Sequence, residues 1–214
     1  MSPRTHCESG QAAPLYVTAV AGLLLLALIF FAFGEADVKR NGAQSAADAA
    51  AIAAAQESRG QLEDDLRANL LNGDYLRDLF NGDFLGTFNG CAQASRFAER
   101  NGADEVACVM LGGRWGFRVD VESKKPMSAN VVPGTAGKRA EATAVAVVEP
   151  RCAFRPAEES GNPPGNDSDD DASAEKVSPG KLVCDTRDDW VIDPEHLDLV
   201  PDMADLFTVR LAED

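Results

Sequence analysis

One uninterrupted apolar stretch near the N-terminus constrains this chain more than any other feature. No charged side chain occurs between Ser9 and Gly34, and residues 15–33 are almost wholly apolar. About twenty such residues, at about 1.5 Å each, cross the roughly 30 Å hydrocarbon core of a bilayer. A helix that is apolar on every side needs lipid or the centre of a large protein around it, and 214 residues of otherwise polar composition do not provide the second. The pattern predicts a transmembrane helix at residues 11–33, behind a short cytoplasmic tail at residues 1–10.

A cleaved secretory signal is the alternative for this stretch, because a basic residue followed by an apolar run is its usual form. The run is longer than the roughly 7 to 15 apolar residues of a signal, and the nearest small-x-small sequence, Ala32-Phe33-Gly34, is a poor cleavage site. We therefore expect the helix to remain as a permanent anchor.

Residues 34–60 are more polar but keep a strong helix-forming character, because alanine dominates them and proline is absent. We expect the membrane helix to continue into water as an alanine-rich extension. Small residues recur in it at four-residue spacing, and the same spacing occurs in the apolar half: Ala43, Ala47, Ala51 and Ala55, then Thr18 and Gly22. Small residues let another helix approach closely. Two interpretations stay open. One is lateral packing with copies of the chain or sister helices, and the other is that the alanines merely form a stalk or dock on the chain's own domain.

The helical patterns continue into residues 61–214, which we interpret as one extracytoplasmic domain. Leucines at helical spacing predict an amphipathic helix over 61–71 that ends at Gly73, and a second short helix follows around 75–80. A third helix is predicted over 91–100, with Asn101-Gly102 as its terminator.

Strand patterns begin at residue 105. Segments 105–110 and 114–122 flank a glycine-rich turn, and the second alternates apolar and charged residues, which predicts a hairpin with one buried face. Further strands are predicted over 139–149 and 205–211. The fold class is therefore α+β, a long N-terminal helix followed by a small antiparallel sheet packed with short helices.

The cysteines indicate both disulfides and orientation. One lies before the apolar stretch and four after it: Cys7, then Cys91, Cys108, Cys152 and Cys184. An even set on one side is typical of an oxidising compartment, and of its three pairings we favour 91 with 108 and 152 with 184, because each pair brackets a coherent segment. Lysine and arginine counts beside the apolar stretch are nearly balanced, so the cysteines decide for an N-terminus inside and a domain outside.

The net charge limits which partners the chain can bind. The chain carries 35 acidic and 20 basic residues, a formal net charge of −15, which disfavours nucleic acid and anionic lipid headgroups. Many acids fall in residues 156–180, which are too polar to bury a core and are expected to form a disordered, mobile loop. Counted from Asp167, this loop places Ala172 and Ser178 where an EF-hand needs glycine and glutamate, so no calcium site is predicted there.

Catalytic patterns are lacking in the sequence. The sequence contains no nucleophile elbow, no phosphate loop and no His-Glu-x-x-His motif, and it has no Cys-x-x-Cys pair for zinc. The residues around His196 are typical of a surface loop. We therefore expect no enzymatic activity, no cofactor and no metal.

The N-terminal region resembles a known family. Residues 10–24, the apolar helix, and the segment Arg40-Asn-Gly-Ala-Gln-Ser-Ala-Ala-Asp-Ala-Ala-Ala-Ile-Ala-Ala-Ala55 are together similar to bacterial tight-adherence (Flp) pilus assembly proteins of the TadE/TadG type. The resemblance covers about a fifth of the chain. It implies a bacterial membrane component that helps to assemble a thin adhesive pilus, with membrane lipid, copies of itself or other pilus-assembly membrane proteins as partners, and no nucleic acid.

One position departs from cleaved pilin precursors. A prepilin peptidase substrate carries a glutamate five residues after the cleaved glycine, and if Gly10 is that glycine the position holds Leu15. This favours a permanently anchored, TadG-like assembly component over a polymerising pilin. The alternative function is a membrane-tethered binding module for a cation or a cell-envelope ligand.

Overall fold

The longest element, α1 (Ala12–Ala68), is a single helix of 57 residues in a computed structural model that describes residues 12–82, 84–86, 88–127, 137–157, 177–185 and 188–212. Its sequence favours this length because alanine and leucine are strong helix formers. Its one proline, Pro14, lies in the first turn, where the missing N–H breaks no helical hydrogen bond.

The continuity of α1 corrects two sequence predictions. The separate helix predicted over residues 61–71 is the last part of α1, and the boundary drawn at residue 60 falls inside that helix. Gly60 is exposed and does not interrupt the helix, because one glycine costs only about 1 kcal/mol relative to alanine. Gly73, predicted to end a helix, instead begins α2 (Gly73–Asn81).

The short helices have clear start signals. The side chain of Asn72 accepts hydrogen bonds from the N–H groups of Asp74 and Tyr75 and caps α2. The predicted third helix is confirmed as α3 (Cys91–Arg100), and a single turn, α4 (Met203–Leu206), is capped by Asp202.

The main sheet has four antiparallel strands in the order β1-β2-β3-β7. Their bounds are β1 (Ala103–Met110), β2 (Gly116–Ser123), β3 (Glu141–Pro150) and β7 (Phe207–Ala212). The predicted hairpin and both further strands are therefore confirmed. Phe117, Val119 and Val121 lie on the buried face, where the alternation placed them.

A second sheet of three antiparallel strands was not predicted. It contains β4 (Cys152–Pro156), β5 (Gly180–Cys184) and β6 (Trp190–Val191) in that order. The side-chain amide of Asn81 joins this sheet to α2, because it donates to the carbonyl of Phe154 at 2.7 Å and accepts from the N–H of Phe154 at 2.8 Å. The predicted acidic loop falls for the most part in residues 158–176, outside the described residues.

One core joins all these elements around α1. Leu62 and Leu66 of that helix are fully buried, and the ring of Trp115 packs edge-on against Phe84 and Phe207, with centroids 5.3 and 5.5 Å away. The indole N–H of Trp115 donates to the hydroxyl of Ser58, also buried, at 2.9 Å. The wet part of α1 is therefore the central element of the domain and not a stalk beneath it.

Candidate interaction site on the long helix

The first turns of α1 are uncovered by any other described part of the protein. Residues Ala13–Phe30 form an apolar helical segment long enough to cross a bilayer, and none of that segment is buried. Leu24 is 62% exposed and Phe30 is 76% exposed. Exposure of this apolar surface to water is energetically unfavourable, so this segment is a candidate membrane anchor.

Two small residues on this segment leave room for a neighbour. A Cβ atom added to Gly22 would meet nothing within 4 Å. The hydroxyl of Thr18 donates back to the carbonyls of Pro14 and Leu15 at 3.0 and 2.9 Å, which satisfies its polar group inside its own helix. The side of the helix that carries Thr18 and Gly22 is thus smooth and uncovered.

The alanines of the wet half lie in a different environment. Ala43 is 2% exposed, while Ala47, Ala51 and Ala55 are 0% exposed, and all lie where α1 packs against the chain's own sheet and α3. Of the two interpretations of the alanine spacing, docking on the chain's own domain agrees with this burial. The four alanines present no free surface to another protein in this structure.

Close packing around the alanines also depends on glycine. At Gly90, just before α3, a Cβ atom would lie 1.9 Å from the carbonyl oxygen of Ala54. Gly86 has φ +68°, and a Cβ atom there would lie 2.2 Å from the indole ring of Trp115. Any side chain at these positions must push α3 or the indole away from α1.

Sequence reasoning missed Ser58 and its partner Trp115, although a signal existed. Ser58 lies three residues after Ala55, on the same helical face, so a polar residue continues a buried stripe. A hydroxyl there needs a hydrogen-bond partner, and an indole N–H is a donor that also needs one.

Both favoured cysteine pairs are bonded in the structure. Cys91 and Cys108 join the start of α3 to β1, and Cys152 and Cys184 face each other across β4 and β5. The second bond closes the base of the segment that contains the acidic residues 158–176.

Ionisable groups near the domain end of α1 are paired. The hydroxyl of Tyr75 donates to Asp65 at 2.7 Å, and burial together with this bond raises the pKa of Tyr75. Burial lowers the pKa of Arg59, and its guanidinium donates to the carbonyl of Phe207 at 3.1 Å. These pairs join α1 to α2 and to β7.

Two clefts lie away from α1's core contacts. A cleft of about 630 Å³ is lined by Arg155 and Lys181 together with Pro156, Val183 and Val191, at the second sheet. Another, of about 520 Å³, lies between Arg40 of α1 and Arg139 before β3. Within the described ranges, no group of three or more His, Cys, Asp or Glu side chains could hold a metal ion.

A candidate membrane-anchor helix whose second half lies in the core of an α+β domain defines the class of this protein. Residues 10–57 match a protein-family model described as "Putative Flp pilus-assembly TadE/G-like". Residues 10–57, about a fifth of the chain, are thus similar to this TadE/G-like family, as the resemblance indicated, and they extend from the apolar helix into the buried alanines. No curated protein and no solved structure matches the chain.

Proposed function

We propose that this protein is a single-pass membrane component of Flp-type pilus assembly or a related secretion apparatus. The observation that carries the proposal is the coincidence of the TadE/G-like match with the uncovered apolar helix. The protein acts through helix packing in the membrane and has no enzymatic activity. Its arrangement of a long helix against a four-stranded antiparallel sheet is pilin-like.

The orientation belongs to the same proposal. The N-terminus lies in the cytoplasm and the domain lies outside the cytoplasmic membrane. Support comes from the two disulfides, which persist in an oxidising compartment and are rare in a reducing one. A membrane-impermeant thiol reagent applied to intact cells should leave Cys7 unlabelled. Labelling of Cys7 from outside would show that the N-terminus lies outside and would contradict the proposed orientation.

The partner contact is assigned to the apolar half of α1, on the side that carries Thr18 and Gly22. Copies of this helix or sister helices of the apparatus pack there, because small residues permit close backbone approach in lipid. In the domain half of α1, Ala43, Ala47, Ala51 and Ala55 are not free for such a contact, since they are buried within the chain's own domain.

The test compares two substitutions on opposite sides of the helix. Gly22→Leu adds a bulky side chain on the small-residue side, and Val20→Leu adds one methylene two residues away, about 200° around the helix. We expect Gly22→Leu to lower co-purification with sister pilus proteins and to reduce surface pili in a complemented deletion strain, while Val20→Leu leaves both unchanged. If the two variants behave equally, the side of the helix that carries Thr18 and Gly22 is not the partner contact.

A second candidate function rests on the cleft beside Arg155 and Lys181. Its two cations and apolar walls fit an anionic cell-envelope ligand rather than a cation. In this alternative, Arg155→Glu together with Lys181→Glu abolishes capture of the protein on purified cell-wall polymer. Unchanged capture would rule out this cleft as the binding site.

A further inference from the structure

The direction of β3 shows which end of the domain lies nearest the apolar segment. Gln44 of α1 donates to the carbonyl of Thr143 at 3.2 Å, and Arg59 donates to Phe207, which pairs with Pro150. Fifteen residues of helix and seven of strand both span roughly 23 Å, so β3 runs alongside α1 in the same direction. The start of β3 and the end of β2 therefore lie at the end of the domain that faces the apolar segment.

Basic side chains concentrate at this end. Arg40 and Arg139 line the cleft between α1 and the start of β3, together with Met127. We define the cationic rim as the six basic residues of this end: Lys39, Arg40, Lys124, Lys125, Lys138 and Arg139. Five of them are exposed and Lys39 is half-buried.

The acids at this end do not cancel the cationic rim. Asp104 lies 3.8 Å from Lys124 and 3.5 Å from Arg139, and Glu122 lies 3.5 Å from Arg139. Asp37 and Glu141 line the same cleft. Exposed pairs at such distances interact weakly, and these four acids are outnumbered by the six cations. Glu99 and Arg100, at the end of α3 beside Lys124, add one charge of each sign, so the cations described at this end still exceed the acids by two. The chain as a whole has the opposite excess, 35 acids against 20 bases.

The geometry of α1 places this rim near a bilayer surface. From Phe30, the last residue of the apolar segment, to Arg40 is ten residues of continuous helix, about 15 Å. The headgroup layer occupies about 6 Å of that distance, and charges interact across a further 8 Å or so at physiological ionic strength. The cationic rim thus lies within electrostatic reach of lipid headgroups once the apolar segment spans the bilayer.

We propose that the cationic rim binds anionic phospholipid headgroups and holds the domain down on the membrane surface. This rests on the proposed function only in requiring that Ala13–Phe30 span a bilayer. The net negative charge of the whole chain led us to expect repulsion from anionic lipid. At this end of the domain the proposal predicts attraction instead. The acidic remainder of the domain is repelled by the same surface, so the two charges together orient the domain.

The test measures lysine reactivity in the full-length protein. The protein is placed in nanodiscs of phosphatidylcholine alone or with phosphatidylglycerol, and an amine-reactive reagent is followed by peptide mass spectrometry. Anionic lipid should slow the labelling of Lys124, Lys125 and Lys138 by about threefold or more, and about 0.5 M salt should reverse the slowing because it shortens the Debye length. Lys181, in the second sheet, serves as the reference and should label equally in both discs.

Charge-reversal variants provide the matched comparison. Lys125→Glu together with Lys138→Glu should abolish the lipid dependence at Lys124, whereas Arg77→Glu, at an exposed position on α2, should preserve it. Equal labelling of the rim lysines in the two discs, in protein that has inserted, overturns the headgroup proposal and leaves the membrane anchor intact. Failure of the protein to enter either disc would count against the anchor itself, and thus against the proposed function.

Discussion

Replacing Ala51 by leucine tests whether the chain's own sheet occupies the alanine face of α1. Ala51 is 0% exposed, so three added carbon atoms have no space unless α1 and the sheet move apart. Overpacking of this kind costs about 1–3 kcal/mol. Helix propensity adds little to this cost, because leucine is nearly as good a helix former as alanine. We expect the free energy of unfolding of the domain to fall by about 2 kcal/mol.

The assay is urea unfolding of the full-length protein in detergent micelles, followed by tryptophan fluorescence, since Trp115 is buried in the same core. With a urea slope of about 2 kcal/mol/M, the midpoint should fall by about 1 M. Ala68→Leu is the matched control, because it is the same substitution at an exposed position in the last turn of α1 and should leave the midpoint unchanged.

The contrary result is specific. If Ala51→Leu leaves the midpoint unchanged but lowers co-purification with sister pilus proteins, the alanine face meets a partner and not the chain's own sheet. The packing described for α1 would then be refuted.

Three further predictions concern single contacts. Ser58→Ala leaves the buried indole N–H without an acceptor and should lower the free energy of unfolding by about 1–3 kcal/mol in the same urea assay. Gly90→Ala forces a Cβ atom against the α1 backbone and should cost at least about 2 kcal/mol, whereas Gly112→Ala, with open space around it, should not. The hydrogen bond that the imidazole of His196 donates to Asp193 raises the pKa of His196. The stabilising effect of this bond is present below the ordinary value of 6.5 and is lost as pH rises through the raised pKa. In an NMR titration, Asp193→Asn should lower the pKa of His196 toward 6.5.

Much of the fold was predictable because its patterns are local. The apolar segment, the third helix and the hairpin each follow from residue periodicity over about ten to twenty residues. The disulfide pairing also followed, since each bond closes a short segment between neighbouring elements, with sequence separations of 17 and 32.

The missed features depend on contacts between distant segments. Nothing local shows that Ser58 meets Trp115, which lies 57 residues further on. The strands β4 and β5 are five residues each and are separated by a long polar segment, so their pairing has no hairpin signal. The sequence patterns divided the helix at residue 60, whereas α1 runs through Gly60 because packing of Leu62 and Leu66 in the core outweighs the cost of a glycine in a helix.

Only part of the candidate site could be predicted from the sequence. Spacing identified both the membrane residues Thr18 and Gly22 and the four alanines as surfaces for close helix approach. Which of the two surfaces stays free depends on the packing of the domain, in which the four alanines are buried. A pattern of small residues predicts close packing but does not name the partner.

The central claim is that one continuous helix both crosses the membrane and forms the core of the domain. Its most direct test is the distance between spin labels at Leu26, in the apolar segment, and Gln61, both exposed on α1, in the full-length protein in nanodiscs. Thirty-five residues of unbroken helix predict a narrow distance distribution centred near 52 Å. A broad distribution centred well below that distance would show a hinge between anchor and domain and would contradict the account.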